Sequence, residues 1–248
     1  MSGENIGRKE FDVNLYDAGP DGKAKLRSIF NFMQTAADSH SMSLGTSVNT
    51  MSEMNLTWVY SRFYVEIEKF PDIYDRVFCE TWRSVVTGGM VNREFLLSAS
   101  DGTLLLRATS SLALIDRVRR KPVEIPGFIL NQLEPQRGRA LDFAPFNVEK
   151  SDVFDYVYRN DVRFEDMDVN GHMNNASYAQ MFFESSFISM SKMLTLKKMD
   201  ILFKGEIVYG DVINCGVRKL ETGENRFYHS AYNEKRGRVS AVALTEWE

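Results

Sequence analysis

The sequence predicts an α+β protein of two tandem units, each a long helix packed on an antiparallel sheet. One clear helix is marked by an apolar stripe at helical spacing. The stripe consists of Leu26, Ile29, Phe30, Met33, Ala36, Ala37 and His40. Four segments rich in β-branched and aromatic residues follow it, an order typical of a sheet covered by one helix. The same order of elements then returns in the second half of the chain.

The first unit is expected to begin with frayed residues 1–10 and a short strand from Asp12. A Gly/Pro/Asp turn at 19–22 leads into the helix, and residues 41–55 form a polar loop after it. Strands are predicted near 56–70, 76–86, 89–99 and 103–116, with a hairpin turn at 100–102. Residues 117–150 hold four of the six prolines and a basic cluster at Arg117, Arg119, Arg120 and Lys121. We therefore predict an N-terminal domain at 1–118, a linker at 119–150 and a C-terminal domain at 151–248.

The second unit is predicted from an internal repeat in two registers. An offset of 149 places Asp12 on Asp161, Asp17 on Asp166, Gly22 on Gly171 and Ser28 on Ser177. An offset of 136 places Asp75 on Asp211 and Cys79 on Cys215. The two registers keep the same order along the chain, so we predict a tandem duplication. It gives a helix at 175–190 and strands near 196–208, 211–221, 226–234 and 238–247.

The strongest candidate site is the polar stretch from Asp168 to Asn175. If the stretch is extended, Asp168, Asn170 and His172 point the same way, because side chains alternate along a strand. Asn174 and Asn175 follow, and Asn is a preferred N-cap residue, so a helix is expected to start there. The first copy has Gly19, Asp21 and Lys23 at the positions of the trio, and Phe70 at the position of Glu206. The polar site therefore belongs to the second copy only.

A carboxylate, an imidazole and an amide near a helix N-terminus suit attack of water on an acyl carbon. The same groups suit hydration or dehydration of an acyl thioester. Each residue also has a structural interpretation: Asp168 and Asn170 as turn and capping residues, His172 as a loop histidine, and Glu206 as a solvated carboxylate. Cys79 and Cys215 are interpreted as small core residues, His40 as structural, and His229 as a strand residue without polar neighbours in sequence.

Composition narrows the class of protein. The chain has 248 residues, 44% of them hydrophobic, and a net charge of −4, which argues against a general nucleic-acid binder. The N-terminus lacks a signal-peptide pattern and no apolar run is long enough to span a membrane, so a cytoplasmic protein is expected. Three scattered histidines and two cysteines do not suit a zinc site, and no cofactor is expected.

The stretch 168–175, followed by Tyr178 and Glu184, resembles the signature of the acyl-ACP thioesterases, enzymes of two tandem hotdog domains. The first-half motifs are also similar: 56–59 with Arg62, 81–82, 93–95, and 108–110 through 115–116. The resemblance implies a catalytic second hotdog and a first hotdog that forms the acyl-chain pocket. It places catalysis on Asp168, Asn170, His172 and Glu206. It places substrate binding on Trp58, Asn174, Asn175 and Tyr178.

Three departures from the family pattern stand out. Ile207 occupies the position of a cysteine once proposed as the nucleophile in plant members, so that mechanism is not available here. Leu112 and Met181 stand where tryptophans are expected, which bears on pocket shape.

The expected function is release of a free fatty acid from acyl carrier protein by direct attack of water. Glu206 and His172 would bind and deprotonate the water, Asp168 would orient His172, and Asn170 with backbone N–H groups would hold the thioester oxygen. An acyl-CoA thioesterase of the same fold and a non-catalytic acyl-binding module are the alternatives. Because carrier proteins are acidic, docking is expected at Arg119, Arg120 and Lys121, or around Lys197 and Lys198. A homodimer is left open.

Overall fold

The computed structural model describes residues 5–135, 137–146, 153–189, 194–221 and 223–248. The chain divides into two compact units, Met1–Phe143 and Ala144–Glu248. The segment predicted as a linker, 119–150, thus covers the end of the first unit and the start of the second. Within it, Ile129 is fully buried in the first unit, and Pro122 pairs with Ile115 of a neighbouring strand.

The first unit is a sheet with one long helix against it. Its strands are β1 (Ile6–Asp12), β2 (Leu56–Ile67), β3 (Arg76–Thr87), β4 (Met90–Ala99), β5 (Leu104–Asp116) and β6 (Lys121–Pro122). Its helices are α1 (Leu26–Ser43), α2 (Val48–Glu53) and α3 (Gly127–Leu130). The strands pair antiparallel in the order β1-β3-β4-β5-β2, and the short β6 also pairs antiparallel with β5.

The second unit repeats this plan. It contains β7 (Tyr156–Asp161), α4 (Asn175–Ser189), β8 (Leu196–Phe203), β9 (Val212–Lys219), β10 (Arg226–Asn233) and β11 (Arg238–Trp247). The strands pair antiparallel in the order β7-β9-β10-β11-β8, which is the order of the first unit. In the first unit, Phe30 of α1 packs on Phe63 at 4.8 Å between ring centroids. In the second, Phe183 of α4 packs on Trp247 at 5.1 Å.

The predicted duplication is confirmed by matching hydrogen bonds at both offsets. In the turn before each helix, the N–H of Gly19 and that of Asp168 each donate to a carbonyl four residues on, both at 2.7 Å. Gly22 and Gly171 both have a φ of +74°, the left-handed region that favours glycine. The N–H of Ala24 donates to the carbonyl of Pro71, and the N–H of Met173 to that of Ile207, both at 2.8 Å. Each helix-leading turn is therefore tied to the loop after the next strand.

Three predicted elements differ in the structure. Residues 6–10 are not frayed: they form β1, where Phe11 stacks on Phe32 at 4.7 Å. The predicted loop 41–55 contains α2, which starts because the Ser47 hydroxyl accepts the N–H of Thr50 at 3.2 Å. The strand predicted to reach 208 ends at Phe203, and residues 204–211 form a loop that carries Glu206. The backbone N–H groups of Lys204 and Gly205 both donate to the Ser240 carbonyl, at 2.8 and 2.9 Å, which a periodicity argument cannot show.

Cys79 and Cys215 are buried and free, as the sequence predicted. Burial raises the pKa of each thiol to about 12. Both therefore stay protonated at neutral pH and serve as small core residues.

Candidate active site

The stretch 168–172 is a tight turn and not an extended segment. The Asp168 N–H donates to the His172 carbonyl at 2.7 Å, and the Gly171 N–H donates to the Asp168 carbonyl at 3.0 Å. The Asp168 carboxylate also accepts the N–H groups of Asn170 at 2.8 Å and of His172 at 3.3 Å. The predicted alternation of side chains along a strand is therefore wrong. Asp and Asn side chains compete with extended structure by binding nearby backbone N–H groups.

The imidazole of His172 faces the carboxylate of Glu206. The distance from His172 Nε2 to Glu206 Oε2 is 3.5 Å, and each side chain is 38% exposed. The two loops are held together by the hydrogen bond from the Met173 N–H to the Ile207 carbonyl, at 2.8 Å. The result is a solvent-accessible acid–base pair that combines residues 34 positions apart in sequence.

Helix α4 begins directly after this turn, as predicted. The Asn174 side chain accepts the N–H of Ala176 at 2.8 Å, which is the hydrogen bond of an N-cap residue. The Asn174 N–H itself donates to the Asp166 carbonyl at 2.7 Å. Asn175 is the first residue of the helix. The positive end of α4 thus lies next in sequence to His172, where it favours negative charge on a ligand.

Asn170 is exposed at the tip of the turn, and its amide lies 3.4 Å from the Asp168 carboxylate. Within the described part of the chain, Asp168 contacts His172 through the backbone N–H and not through the imidazole. The predicted role of Asp168 in orienting His172 stays a prediction. In this structure Asp168 builds the turn that presents His172, because its carboxylate accepts the N–H groups of Asn170 and His172.

We expect Asp168→Ala to lower the rate of the reaction at this site on the order of 10²-fold, because misplacing a catalytic group by about 1 Å has that effect. Asp168→Asn should keep most of the rate, because an amide oxygen can still accept the Asn170 and His172 N–H groups. Steady-state kinetics of the two variants shows whether Asp168 acts by building the turn or by its negative charge. Equal losses in both variants would contradict the turn-building role.

Tyr178 supports the loop that carries Glu206. Its hydroxyl donates to the Gly205 carbonyl at 3.2 Å, and its ring packs edge-on against Phe203 at 5.2 Å. The residue is 3% exposed. Burial, and next the charge of Glu206, raises the pKa of Tyr178 well above its usual range. Tyr178 therefore remains a neutral donor close to the carboxylate.

Asp211 is a second support that the sequence interpretation missed. Its carboxylate accepts the Val208 N–H at 3.1 Å, the Asn233 amide at 2.7 Å and the Arg236 guanidinium at 3.3 Å. Burial would raise the pKa of Asp211, but these three donors outweigh it and hold the pKa below its usual value. The signal in the sequence was the alignment of Asp211 with Asp75, whose carboxylate accepts the Asp72 N–H at 2.9 Å.

Trp58 lies in the first unit, where it packs against a buried apolar cluster. The cluster consists of Met51, Val91, Leu114 and Ile129. The guanidinium of Arg83 lies 5.7 Å from the Trp58 ring centroid. The substrate contact expected of Trp58 stays a prediction.

His229 has polar neighbours that its sequence position did not reveal. It is fully buried, with Ser185 at 3.1 Å from Nδ1 and with Ser186 at 3.2 Å and Thr245 at 3.0 Å from Nε2. Burial lowers the pKa of His229 to about 3. These partners come from α4 and β11, more than a dozen positions away in sequence, so local reasoning did not find them. The cluster holds a neutral histidine inside the unit.

We expect the free energy of unfolding to fall as the pH drops below 6.5. The pKa of His40 is also lowered to about 3, by burial and then by Arg93 and Arg83. Between pH 6.5 and 3 the unfolded chain binds protons at His40 and His229 that the folded chain does not. Each site then lowers stability by up to about 1.4 kcal/mol per pH unit. Urea unfolding at pH 7.5, 6 and 5 measures the free energy of unfolding. His229→Gln should lose the part of the pH dependence that comes from His229. A free energy of unfolding that does not change with pH would contradict the prediction.

Both halves of the chain match known family models. The family model described as the acyl-ACP thioesterase N-terminal domain matches residues 4–133, and the model described as the acyl-ACP thioesterase C-terminal domain matches residues 150–248. The chain belongs to the acyl-ACP thioesterase family. Within this family, it is 27% identical over 260 residues to a chloroplastic palmitoyl-acyl carrier protein thioesterase of Arabidopsis thaliana. That alignment covers 97% of this chain and 63% of the relative, so the chain spans less than two thirds of the plant protein's length.

Two solved acyl-ACP thioesterase structures share the fold. The 12:0-ACP thioesterase from Umbellularia californica aligns with a TM-score of 0.85 at 24% identity, covering 100% of this chain and 98% of the other. An acyl-ACP thioesterase from Bacteroides thetaiotaomicron aligns with a TM-score of 0.80 at 23% identity, covering 98% of both chains. These alignments confirm the predicted fold of two tandem hotdog domains. The roles predicted for Asp168, Asn170, His172 and Glu206 in this family member stay predictions.

No helix among the described residues is long and apolar enough to cross a membrane. No group of three or more His, Cys, Asp or Glu side chains in the same residues is arranged to hold a metal ion.

Proposed function

We propose that this chain hydrolyses fatty acyl-ACP to a free fatty acid and holo-ACP by direct attack of water. The observation that carries the proposal is the exposed His172–Glu206 pair, 3.5 Å apart, in a member of the acyl-ACP thioesterase family. An imidazole beside a carboxylate is a suitable general base for water. A carrier-bound substrate also implies a role in fatty acid biosynthesis.

In the proposed reaction, a water molecule bound between His172 and Glu206 attacks the thioester carbon. Its proton passes to the imidazole–carboxylate pair, and the carbonyl oxygen becomes an oxyanion. Asn170 and the positive end of the α4 dipole stabilise that oxyanion. The carbon–sulfur bond then breaks, and the proton held by the pair returns to the departing sulfur. The two side chains can share one proton, so either can hold it during the step.

The direct test is fatty-acid release by the purified protein from a ladder of acyl-ACPs, with matched acyl-CoAs beside it. We expect hydrolysis of acyl-ACP, and the ladder then gives the preferred chain length. Hydrolysis of acyl-CoA alone would assign the chain to acyl-CoA thioesterases. Tight acyl binding without release would overturn the catalytic proposal.

The carrier-docking surface proposed here differs from the two clusters expected from sequence. Lys197 is paired with Glu248 at 3.7 Å, and Lys198 with Glu246 at 3.4 Å. Arg119 lies 4.0 Å from Asp116. These cations are already partly neutralised by neighbouring carboxylates, which weakens their attraction for an acidic partner.

Three exposed cations surround the loop that carries Glu206: Lys204, Lys235 and Arg238. None of the three has an ion pair among the described residues. A Cβ added at Gly205 would lie 3.2 Å from Arg238 Nη2, and one at Gly210 would lie 3.7 Å from Lys235 Nζ. Both cations therefore lie against the loop itself.

An exposed aromatic pair includes Tyr209 of the same loop. Phe164 and Tyr209 are 77% and 65% exposed, and their rings meet edge to face at 6.1 Å. Unpaired positive charge beside exposed aromatic rings suits a protein partner with an acidic surface. We place acyl carrier protein on this surface, with its acyl group reaching the His172–Glu206 pair.

We expect Lys235→Glu and Arg238→Glu each to raise KM for acyl-ACP roughly 3- to 10-fold at low salt, because both remove attraction for an acidic carrier. The effect should shrink as the salt concentration rises. Turnover of a small acyl-pantetheine thioester should not change, since no carrier docks. Lys198→Glu is the matched control, and an equal effect there, or none at Lys235 and Arg238, would contradict the assignment. A homodimer and a cytoplasmic location stay predictions.

A further inference from the structure

Two arginines face each other inside the first unit. Arg83 of β3 and Arg93 of β4 are directly opposite in the strand register. They are 2% and 4% exposed. Like charges in directly opposite positions destabilise a sheet, and a buried charge is costly unless it is compensated. The pair therefore requires a source of negative charge.

Arg93 is bound only to neutral groups among its described hydrogen-bond partners. It donates to Thr81 Oγ1 at 3.3 Å, to Ser41 Oγ at 3.1 Å and to His40 Nδ1 at 3.3 Å. His40 is neutral, because burial and then the charges of Arg93 and Arg83 lower its pKa to about 3. With Nδ1 accepting a hydrogen bond, the proton of the ring is on Nε2.

Arg83 has the same kind of environment. It donates to Thr46 Oγ1 at 2.8 Å, to Ser41 Oγ at 3.4 Å and to the side-chain oxygen of Gln132. Burial, and then the charge of Arg93, lowers the pKa of Arg83 to about 9. The guanidinium is therefore still charged at neutral pH.

No carboxylate of the described residues pairs with either guanidinium. Glu94 follows Arg93 on β4, but its carboxylate binds the Ser84 hydroxyl at 2.7 Å and the Ala140 N–H at 2.9 Å. Burial lowers the pKa of Arg93, and the opposing effects come from Tyr60 and then from Asp38, which is exposed to solvent. Two positive charges thus lie inside the unit without a contacting counter-charge from the described chain.

Donors remain available around the pair. A guanidinium has five N–H groups, and the hydrogen bonds above do not use all of them. Trp58 Nε1 and His40 Nε2 are buried and have no hydrogen-bond partner among the described residues. The Trp58 ring lies 5.7 Å from Arg83, and His40 contacts Arg93 directly. Buried polar groups in native proteins are nearly always satisfied, so unused donors beside two cations indicate an acceptor.

We propose that Arg83 and Arg93 form a buried binding site for one compact monoanion, either a halide ion or a carboxylate group. One such anion supplies the missing counter-charge and accepts the spare N–H groups. A dianion such as phosphate is less suited, because its hydration is more costly to remove. The anion would stabilise the first unit and has no part in the thioester chemistry proposed for the second.

The first test is thermal unfolding at constant ionic strength, with a bulky organic sulfonate replaced stepwise by chloride, acetate or phosphate. We expect a saturable rise in Tm of roughly 5 to 10 °C when chloride or acetate reaches about a hundred times its Kd. The salt that acts at the lower concentration distinguishes halide from carboxylate. Arg83→Met should abolish the rise, whereas the control Arg76→Met should keep it. Arg76 is on the same strand but exposed and paired with Glu10 at 3.0 Å.

A Tm that does not depend on the anion, or the same rise in Arg83→Met, would overturn the site. If Arg83→Met does not fold, a crystal of the unmodified protein grown in bromide still tests whether an anion binds at the arginine pair. We expect an anomalous peak within hydrogen-bonding distance of both guanidinium groups. Ordered bromide elsewhere, with neither bromide nor a carboxylate group at the pair, would refute the proposal. Neither measurement uses a substrate, so the outcome is independent of the thioesterase assignment.

Discussion

Glu206→Gln and His172→Ala should each lower the rate of acyl-ACP hydrolysis about 10²- to 10⁴-fold, the usual effect of removing a general base. The two residues share one 3.5 Å contact, and in the proposed reaction they act on one proton. We therefore expect the double variant to be little worse than either single variant. The measurement is kcat on a fixed acyl-ACP, with circular dichroism to show that each variant is folded.

The duplication supplies a matched control for this experiment. Lys23 occupies the first-unit position of His172, in a turn with the same hydrogen bonds, and pairs with Asp72 there. Lys23→Ala should leave kcat unchanged, because the first unit has Phe70 in place of the glutamate. Wild-type rates in Glu206→Gln and His172→Ala would show that the site is elsewhere.

The second large effect is expected at Asp211. Asp211→Ala removes the acceptor of three donors, one of them the amide of Asn233, which is fully buried. Leaving such groups without an acceptor costs about 2 to 5 kcal/mol of unfolding free energy. The same change frees the loop 204–211, so kcat per folded molecule should also fall, on the order of 10²-fold.

Asp75→Ala is the control for Asp211→Ala. Asp75 is the first-unit equivalent and accepts the N–H of Asp72. It should lower stability less and leave kcat unchanged, because its loop has Phe70 at the position of Glu206. Urea midpoints and kcat for the two variants separate the effect on folding from the effect on Glu206. Equal losses of kcat in both would mean that the Asp211 effect is not local to the site.

The contribution of Asp211 to the free energy of unfolding depends on pH. Its pKa is held below the ordinary value of 3.8 in the folded chain. Its stabilising effect is thus complete above that pH and is lost as the pH falls through the folded value. This loss comes at lower pH than the loss at His229, which begins near pH 6.5.

Local pattern was sufficient for most of the secondary structure. The stripe that begins at Leu26 predicted α1, and the four strand segments after it match β2 to β5 with end shifts of three residues or fewer. It failed at 168–172, where the alternation of an extended chain was assumed. The Asp168 carboxylate accepts two backbone N–H groups there. Hydrogen bonds from a side chain to the backbone cannot be predicted from hydrophobic periodicity.

Only part of the candidate site could be predicted from the sequence. The repeat showed that the polar residues at 168–172 and Glu206 occur in one copy only, and composition argued against an ordinary zinc site. The support of the Glu206 loop by Tyr178 and Asp211 was not found. Those hydrogen bonds join Tyr178 to Gly205, 27 positions away, and Asp211 to Val208, 3 positions away, and neither leaves a periodic signal.

The sequence by itself determined the α+β class, the tandem repeat and the residues of the polar stretch, because periodicity and identity between copies are local properties. Only the tertiary structure decided which of those residues meet. It paired His172 with Glu206, made Asp168 a turn builder, and brought Arg83 against Arg93 inside the first unit. Strand register and loop closure set these contacts, and both depend on the packing of distant segments.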